Sequence, residues 1–240
     1  MITLAIDTSN RPLTVAVLDG KQLLATTTLT THRKHAEFLL PIVEELVARA
    51  ELTPTDLQRI VVAYGPGSYT GIRMAVTLAK TLSSTLNIEL VTVSSLLSLA
   101  LNESRPDVLI NPIFDGRNQN MFTGLYRWHD NELIPVIEDQ HINLVDWLPK
   151  LKQQTLPIIA LGEINNFTSI MKEQLGERIS FGSELMNIPN AAKLGIYGQQ
   201  LEPVKVVDTV VPNYLRLTKA EADWRKEHPE AGDGNYVEKV

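Results

Sequence analysis

The chain has 240 residues, and none of them is cysteine. Disulfide bonds, thiolate nucleophiles and cysteine-ligated zinc are therefore excluded. The sequence also lacks an excess of positive charge: its formal net charge is −6, which makes it a poor electrostatic match for a polyanion. No apolar run approaches the roughly 20 residues of a membrane span, and the first residues lack the basic start and apolar core of a signal peptide. We therefore expect a soluble, cytoplasmic protein.

Apolar residues make up 44% of the chain and charged residues 21%, proportions that are ordinary for a globular protein. The length is sufficient for two lobes with separate cores, because domains commonly contain about 100–150 residues. Alternating apolar residues and turn signals predict three strands within 2–29, then a helix within 34–50 and a strand at 60–64. A similar order starts again at residue 107, with strands near 108–114, 121–128 and 133–138, a helix near 144–151 and a strand at 157–161. This repetition predicts an α/β protein with two related lobes.

A glycine-rich turn at 65–73, Gly-Pro-Gly-Ser-Tyr-Thr-Gly-Ile-Arg, connects the strand at 60–64 to an amphipathic helix that runs to residue 86. Glycine tolerates positive φ and the close approach of another backbone, and the hydroxyl of Ser68 or Thr70 can cap the helix. Such a turn can hold an anion at the positive end of the helix. It is not a Walker loop, because no Gly-Lys-Ser/Thr follows at the required spacing. The residues alone leave two interpretations open, an anion-binding loop and a plain strand-to-helix connection.

The segment at 65–80, GPGSYTGIRMAVTLAK, resembles the signature of the TsaB (YeaZ) family, and stretches at 6–9, 35–46 and 212–216 also match that family. The resemblance implies a two-lobed actin-like fold of the sugar-kinase, heat-shock-protein and actin type, built from ribonuclease-H-like repeats. It also implies a non-catalytic subunit of the bacterial machinery that makes threonylcarbamoyladenosine in tRNA, with TsaD as its partner. TsaD-type proteins share the glycine signature but carry a His-x-x-x-His metal motif. This chain has His32-Arg-Lys-His35 instead, which favours TsaB.

In the implied fold, a helix predicted to begin after Asn190 packs back on the first lobe, so the lobes are not simple halves of the sequence. The expected first lobe comprises 1–104 and about 190–205. The expected second lobe comprises 105–189 and about 206–225, and Tyr214 is expected to fasten the C-terminal segment to it. Residues 226–240 are expected to form a loosely ordered tail.

Two predicted helices carry more apolar surface than one core requires. At about 100° per residue, the helix within 34–50 and the helix that follows the glycine turn each have an apolar arc of roughly 200°. Phe38 and Ile42 widen the first arc, and Met74 and Leu78 widen the second. We interpret the excess as a helix-on-helix docking surface; the alternative is that the other lobe covers it. The resemblance implies that these helices pair with the equivalent helices of TsaD, or in a homodimer, through His35, Phe38, Leu39, Ile42, Leu46, Gly71, Met74, Ala75 and Leu78.

Acidic residues close the first strand of each predicted lobe, at Asp7 and at Asp115. Because such residues help to hold magnesium and phosphate in active actin-like kinases, the resemblance implies a vestigial nucleotide or phosphate loop. From the residues alone, aspartates at strand ends commonly serve turns, and Arg73 either binds an anion, pairs with an acid on a partner or is solvated. Where family members commonly read Asp-Ala-Arg and then Glu-Val-Tyr, this chain has Asp115-Gly-Arg and then Asn120-Met-Phe. The candidate loop residues are Asp7, Gly65, Gly67, Ser68, Thr70, Arg73 and Asp115.

Neither a metal centre nor a catalytic nucleophile is predicted. His32 and His35 are three residues apart, but no carboxylate or third histidine is placed to complete a metal site. Ser68 lacks the Gly-x-Ser-x-Gly spacing of a nucleophile elbow, and no histidine lies near it in the sequence.

The resemblance implies the function of a scaffold and activator. Such a subunit is expected to bind TsaD, and through the complex TsaE, for threonylcarbamoylation of the adenosine next to the anticodon, and to contact tRNA only indirectly. No intrinsic cofactor is expected, because ATP and metal are expected on TsaE and TsaD. Two alternatives stay open: a small ATP-dependent, kinase-like enzyme that uses Asp7, the glycine turn and Asp115, and a peptidase that acts on TsaD.

Overall fold

The computed structural model describes residues 1–30 and 35–216, which contain two five-stranded sheets. The strands of the first sheet are β1 (Ile2–Asp7), β2 (Pro12–Asp19), β3 (Gln22–Thr30), β4 (Arg59–Ala63) and β5 (Glu89–Val93). Their order across the sheet is β3-β2-β1-β4-β5. The central strand β1 is antiparallel to β2 and parallel to β4.

The second sheet repeats this arrangement. Its strands are β6 (Leu109–Arg117), β7 (Asn120–His129), β8 (Glu132–Asn143), β9 (Ile158–Gly162) and β10 (Ile179–Phe181). Their order is β8-β7-β6-β9-β10, with β6 antiparallel to β7 and parallel to β9. The predicted α/β fold with two related lobes is confirmed.

Helices cover both sheets. They are α1 (His35–Arg49), α2 (Tyr69–Leu86), α3 (Ser95–Ala100), α4 (Leu144–Lys152), α5 (Thr168–Leu175) and α6 (Ala191–Gly198). α1 continues through Pro41 without ending there. The sequence did not predict α3, α5 or β10, which are short and give little periodic signal. In the described part of the chain, no helix is both long enough and apolar enough to cross a bilayer.

Helices cover both faces of the first sheet, which explains why two of its strands, β1 and β4, are almost entirely buried. α1 packs against β2 and β3 and α2 against β4, while α6 packs against β1, β2 and β4. Every residue of β4 is buried, and so are nearly all residues of β1. A strand that is buried on both faces has a continuous apolar sequence rather than an alternating one.

An apolar core joins the two lobes. α3 follows β5 in the chain but packs against β6, β7 and β9 of the second sheet. Leu96 and Leu99 of α3 are 0% exposed and belong to one cluster with residues of those strands. Tyr197 of α6 contacts both this cluster and the cluster between α6 and the first sheet. Ser94, which caps α3, also donates a hydrogen bond to Asp139 of β8. The lobes therefore share a buried interface, which restricts their relative motion.

Residues 204–214, which we call the C-terminal segment, pack against the first lobe. The N–H of Val204 donates to a carbonyl of β5, and the N–H of Asn213 donates to the carbonyl that follows β4. Lys80 of α2 donates to two carbonyls between these points. Arg216 contacts the second lobe, where its guanidinium donates to the Gly116 carbonyl. The prediction that residues from about 206 join the second lobe is therefore wrong up to Tyr214, because the edge of β5 and the flank of α2 bind them. Residues beyond 216 lie outside the described part of the chain.

Candidate functional site

The glycine turn between β4 and α2 packs against the backbone of the chain itself. A Cβ atom on Gly67 would collide with the carbonyl oxygen of Ser9, and one on Gly71 would collide with that of Thr8. Gly65 and Gly67 have φ angles of 123° and 150°, which residues with a side chain rarely adopt. Gly67 and Gly71 are thus required by the close approach of the residues that follow β1, whereas a Cβ atom on Gly65 would collide with the carbonyl oxygen of Asn213.

Several hydrogen-bonding groups at the start of α2 have partners within the protein. The N–H of Ser68 donates to the Ser9 carbonyl at 2.7 Å. The Ser68 hydroxyl caps the helix by accepting from the N–H of Gly71 at 3.3 Å, as predicted. The Thr8 hydroxyl donates to the Gly71 carbonyl at 2.6 Å. These contacts hold the turn against the residues that follow β1, and they do not decide between a plain strand-to-helix connection and an anion-binding loop.

Asp7 is sealed beneath this turn. Its carboxylate is 0% exposed, and it accepts hydrogen bonds from the N–H and hydroxyl of Ser9 and from the hydroxyl of Ser98. Burial raises the pKa of Asp7 above its ordinary value, and the bonds from Ser9 and Ser98 oppose that rise. A carboxylate enclosed in this way does not reach a ligand in the cleft, contrary to the expectation for Asp7.

A cleft of about 900 Å³ opens between the two lobes, near the ends of β1 and β6. Of the candidate loop residues, Gly67, Ser68, Thr70 and Asp115 line the cleft, whereas Asp7, Gly65 and Arg73 are absent from its lining. Its charged lining residues, which have both signs, are Arg11, Arg117, Arg216, Asp115 and Glu163.

The two carboxylates of the cleft lie close together and already have partners. The N–H of Asp115 donates to Glu163 at 2.7 Å, and the Asp115 carboxylate accepts from the N–H of Arg117 and from the amide of Asn166. Burial raises the pKa of Glu163 above its ordinary range; the hydrogen bond from the Asp115 N–H opposes that rise, and the charge of the Asp115 carboxylate adds a smaller rise. Sequence reasoning missed Glu163. Glu163 follows β9 by one residue and reaches the cleft because β9 runs parallel to β6, so that both strands end at the same sheet edge; a single sequence does not show that pairing.

Arg73 lies outside the cleft, on the flank of α2 that faces the C-terminal segment. Its Nε donates to the Tyr214 hydroxyl at 2.7 Å, and its guanidinium carbon lies 4.6 Å from the centroid of the Tyr69 ring. Arg73 therefore takes part in a cluster with two tyrosines, an arrangement that the sequence did not predict.

A second part of the α2 surface is apolar and adjoins α1, and its member Met74 also lines the cleft. We call Phe38, Ile42, Met74 and Leu78 the α1–α2 face. Phe38 is 43% exposed, and the other three side chains are half-buried at the margin of the core. The alternative interpretation, that the second lobe covers these side chains completely, is wrong because none of the four is buried.

The remaining candidates for partner binding lie below this face. Leu39, Leu46 and Ala75 are at most 4% exposed and belong to the core of the first lobe. Gly71 is packed against the residues that follow β1. These residues support the α1–α2 face from beneath and add no exposed apolar area to it. The side chain of His35 lies outside the described part of the structure.

The described residues offer no cluster of metal ligands. Across residues 1–30 and 35–216, no group of three or more histidine, aspartate or glutamate side chains is arranged to hold an ion. His32 of the candidate pair lies outside the described residues.

Two sheets of equal strand order around a shared cleft define a two-lobed actin-like fold. The structure of YeaZ from Pseudomonas aeruginosa matches with a TM-score of 0.71, covering 89% of this chain and 99% of that chain at 22% identity. The ethanolamine utilization protein EutJ from Carboxydothermus hydrogenoformans matches with a TM-score of 0.50, covering 82% of this chain and 90% of that chain at 15% identity. At these identities the likeness shows the fold alone.

Sequence comparison identifies the family. The family model described as TsaD, tRNA N6-adenosine threonylcarbamoyltransferase, matches residues 22–224. The tRNA threonylcarbamoyladenosine biosynthesis protein TsaB of Bacillus subtilis is 41% identical over 225 residues, which cover 93% of this chain and 98% of that protein. This chain belongs to the TsaB family, within the wider group of sequences that the TsaD model matches.

Proposed function

We propose that this chain is a non-catalytic subunit for the synthesis of threonylcarbamoyladenosine in tRNA, and that it docks on TsaD through the α1–α2 face. The process is the one for which its relative from Bacillus subtilis is named. The observation that carries the docking proposal is the exposed apolar surface of two adjacent helices in an otherwise well-packed lobe. Exposed apolar patches of this kind commonly mark binding sites for other proteins.

The geometry of the α1–α2 face suits a pair of helices. Phe38 and Ile42 are four residues apart on α1, as are Met74 and Leu78 on α2, so the members of each pair are neighbours along their helix. α1 and α2 pack on each other, which places the two ridges next to one another. Ridges of this kind fit the grooves of other helices. We propose TsaD as the partner because the family model for TsaD matches this chain over a range that includes α1 and α2. TsaD is therefore expected to have an equivalent pair of helices.

The non-catalytic role is supported by the way the chain uses its polar groups. Asp7 is enclosed by Ser9 and Ser98, and the cap of α2 is satisfied by the residues around it. In the cleft, the Asp115 carboxylate is bonded to neighbouring groups. A phosphate or a magnesium ion would have to displace these internal contacts before it bound.

The subunit is proposed to act by favouring the active arrangement of TsaD. Its own lobes share a buried apolar interface, so it offers the partner a rigid surface. A subunit shifts its partner between conformations only through a difference in affinity for them. Because the chain has a net charge of −6, it attracts the phosphates of tRNA poorly, and TsaD is proposed to make most of the contacts with tRNA. In this proposal TsaE joins through the complex in the cytoplasm, and ATP and metal are held by TsaE and TsaD.

Binding to purified TsaD tests the proposal. The double variant Met74→Glu/Leu78→Glu is expected to weaken binding by at least about thirtyfold, because charges would be buried in an apolar contact. Leu185→Glu is a matched control, since Leu185 is 83% exposed on the second lobe. Reconstituted tRNA modification with TsaD, TsaE and the adenylate donor is expected to fall with the double variant and to be preserved with Leu185→Glu. Unchanged affinity in the double variant, with its fold intact, would overturn the docking proposal.

A further inference from the structure

The four edge strands of the two sheets are protected to different degrees. An exposed edge presents unpaired N–H and C=O groups that can pair with another strand unless a structural feature prevents it. At the edge of β5, a backbone carbonyl accepts a hydrogen bond from the N–H of Val204 in the C-terminal segment. β10 is only three residues long. β8 contains Pro135 and acidic residues, and its pairing with β7 shifts register at bulges.

β3 has none of these protections along most of its length. It contains nine residues without a proline or a charged side chain. Within the described part of the chain, β2 is the strand paired with it, on one side. The pairing of β3 with β2 shifts register opposite Val17 and Leu18, and this irregularity affects only the start of β3. Residues 25–30 therefore form a regular, uncharged edge.

We propose that two copies of this chain associate through their β3 edges, antiparallel about a twofold axis, so that the first sheets of both copies become continuous. Along an antiparallel pair, directly opposed residues alternate: one pair exchanges backbone hydrogen bonds and the next pair does not. If a residue lay opposite the copy of its neighbour, a twofold axis would require two successive pairs of the same kind. The axis therefore requires one residue to lie opposite its own copy. Pairing over five of the six residues 25–30, the longest that this geometry allows, places that residue at Thr27 or Thr28.

The sequence of β3 suits this self-pairing, which is why a second copy is the proposed occupant. A charged residue on the axis would face an identical charge, which destabilises a cross-strand pair, whereas opposed threonines are favourable. Either axis position here is a threonine, and its neighbours in the edge are threonine, alanine or leucine. Leu23, at the start of the strand, is 46% exposed and adds apolar surface beside the edge.

This edge is distinct from the α1–α2 face, and the inference does not depend on the proposed function. Edge pairing buries less area than a typical stable interface, so the association is weak and concentration-dependent. A chain that carries Met74→Glu and Leu78→Glu is expected to retain it. The copies in such a dimer would each keep the α1–α2 face available.

Single cysteines map the axis, because the natural chain contains none. Under mild oxidation, Thr27→Cys or Thr28→Cys is expected to form a disulfide-linked dimer at least about tenfold faster than Thr155→Cys, because pairing raises the local thiol concentration. Thr155 is an exposed loop residue of the second lobe and serves as the matched control. If neither variant at the edge forms the dimer faster than the control, the proposed pairing is excluded.

Sedimentation equilibrium of the intact chain gives an independent test. Thr26→Lys, which places a charge on the exposed edge strand, is expected to weaken self-association by at least about tenfold, and Thr155→Lys is expected to leave it unchanged. Far-ultraviolet circular dichroism checks that Thr26→Lys is folded; if it is not, the cysteine test decides. A wild-type chain that stays monomeric at high concentration would overturn the proposal. So would a dimer that is lost in Met74→Glu/Leu78→Glu but persists in folded Thr26→Lys.

Discussion

Tyr214 stacks on Tyr69 with ring centroids 4.9 Å apart and an interplanar angle of 24°. Tyr69 is the first residue of α2, whereas Tyr214 ends the C-terminal segment. Arg73, one turn further along α2, donates to the Tyr214 hydroxyl. The stack therefore fastens the C-terminal segment to the helix that carries half of the α1–α2 face.

Removal of the Tyr214 ring is expected to destabilise the first lobe. Tyr214→Ala loses the stack, the contact with Arg73 and the buried part of the ring, for a cost of about 2 kcal/mol in the free energy of unfolding. Tyr214→Phe keeps the stack and loses one partly exposed hydrogen bond, for a cost of about 0.5 kcal/mol. Urea unfolding of both variants provides the measurement. Equal stability of the two variants would show that the ring contributes little.

Gly71→Ala is expected to reverse the usual effect of this substitution in a helix. Alanine normally stabilises a helix relative to glycine by about 1 kcal/mol. At Gly71, however, the new Cβ would collide with the Thr8 carbonyl oxygen, which belongs to a backbone that cannot move easily. We expect a loss of about 3 kcal/mol in the free energy of unfolding.

Gly176→Ala is the control for that prediction. Gly176 has a φ of 60°, but a Cβ there would meet no atom within 4 Å. The cost is therefore the conformational one alone, about 2 kcal/mol, because with a ψ of −133° the residue lies in a region that only glycine adopts readily. Thermal unfolding of the two variants compares them, and a Gly71→Ala chain as stable as Gly176→Ala would contradict the close packing of the turn.

Asp7→Asn is expected to change how stability depends on pH. Burial raises the pKa of Asp7 above its ordinary value of 3.8. The folded chain therefore retains this proton at pH values where the unfolded chain has released it, and the contribution of Asp7 to stability falls as the pH rises from 3.8 through the folded pKa. Asparagine has no such proton, and it can still accept from Ser9 and donate to the Ser98 hydroxyl.

Urea unfolding at several pH values from the acidic range to neutrality measures this effect. The stability of Asp7→Asn relative to the wild type is expected to increase as the pH rises through that window. Because both chains share every other titratable group, the difference between them isolates Asp7. A variant that loses stability relative to the wild type as the pH rises would mean that the ionised carboxylate is favoured in the folded chain.

The local features of the fold could be predicted from the sequence because their causes are local. The apolar alternation, the turn residues and the glycine turn gave the two repeated lobes and the start of α2. Asn190 was predicted to cap α6, and its side chain accepts from the N–H of Lys193. The excess apolar residues of α1 and α2 were also found, because helical periodicity alone shows how wide an apolar arc is.

Features that depend on distant contacts could not be predicted. Asp7 was placed in a vestigial nucleotide or phosphate loop because it ends β1 in a chain that resembles actin-like kinases, but Ser98, 91 residues away, encloses it. Residues 206–214 were assigned to the second lobe, yet the partners that hold them are Lys80 and other groups of the first lobe. Tyr214 was predicted to contact the second lobe, but it contacts Arg73 and Tyr69 of α2 in the first lobe. Glu163 enters the cleft only because β9 pairs with β6, and strand pairing is not visible in a single sequence.

The isolated chain is expected not to hydrolyse ATP above the background rate. Asp115 is the cleft carboxylate at the position where a kinase-like enzyme would use one, but it is bonded to the N–H of Arg117 and to the amide of Asn166, each within 2.8 Å. With these contacts intact, we expect the wild type and Asp115→Asn to release phosphate from magnesium-ATP at the same background rate. Chromatographic repurification to constant specific activity controls for contaminating ATPases. A magnesium-dependent rate in the wild type that is lost in Asp115→Asn would instead support the kinase-like alternative, and with it a functional role for the cleft.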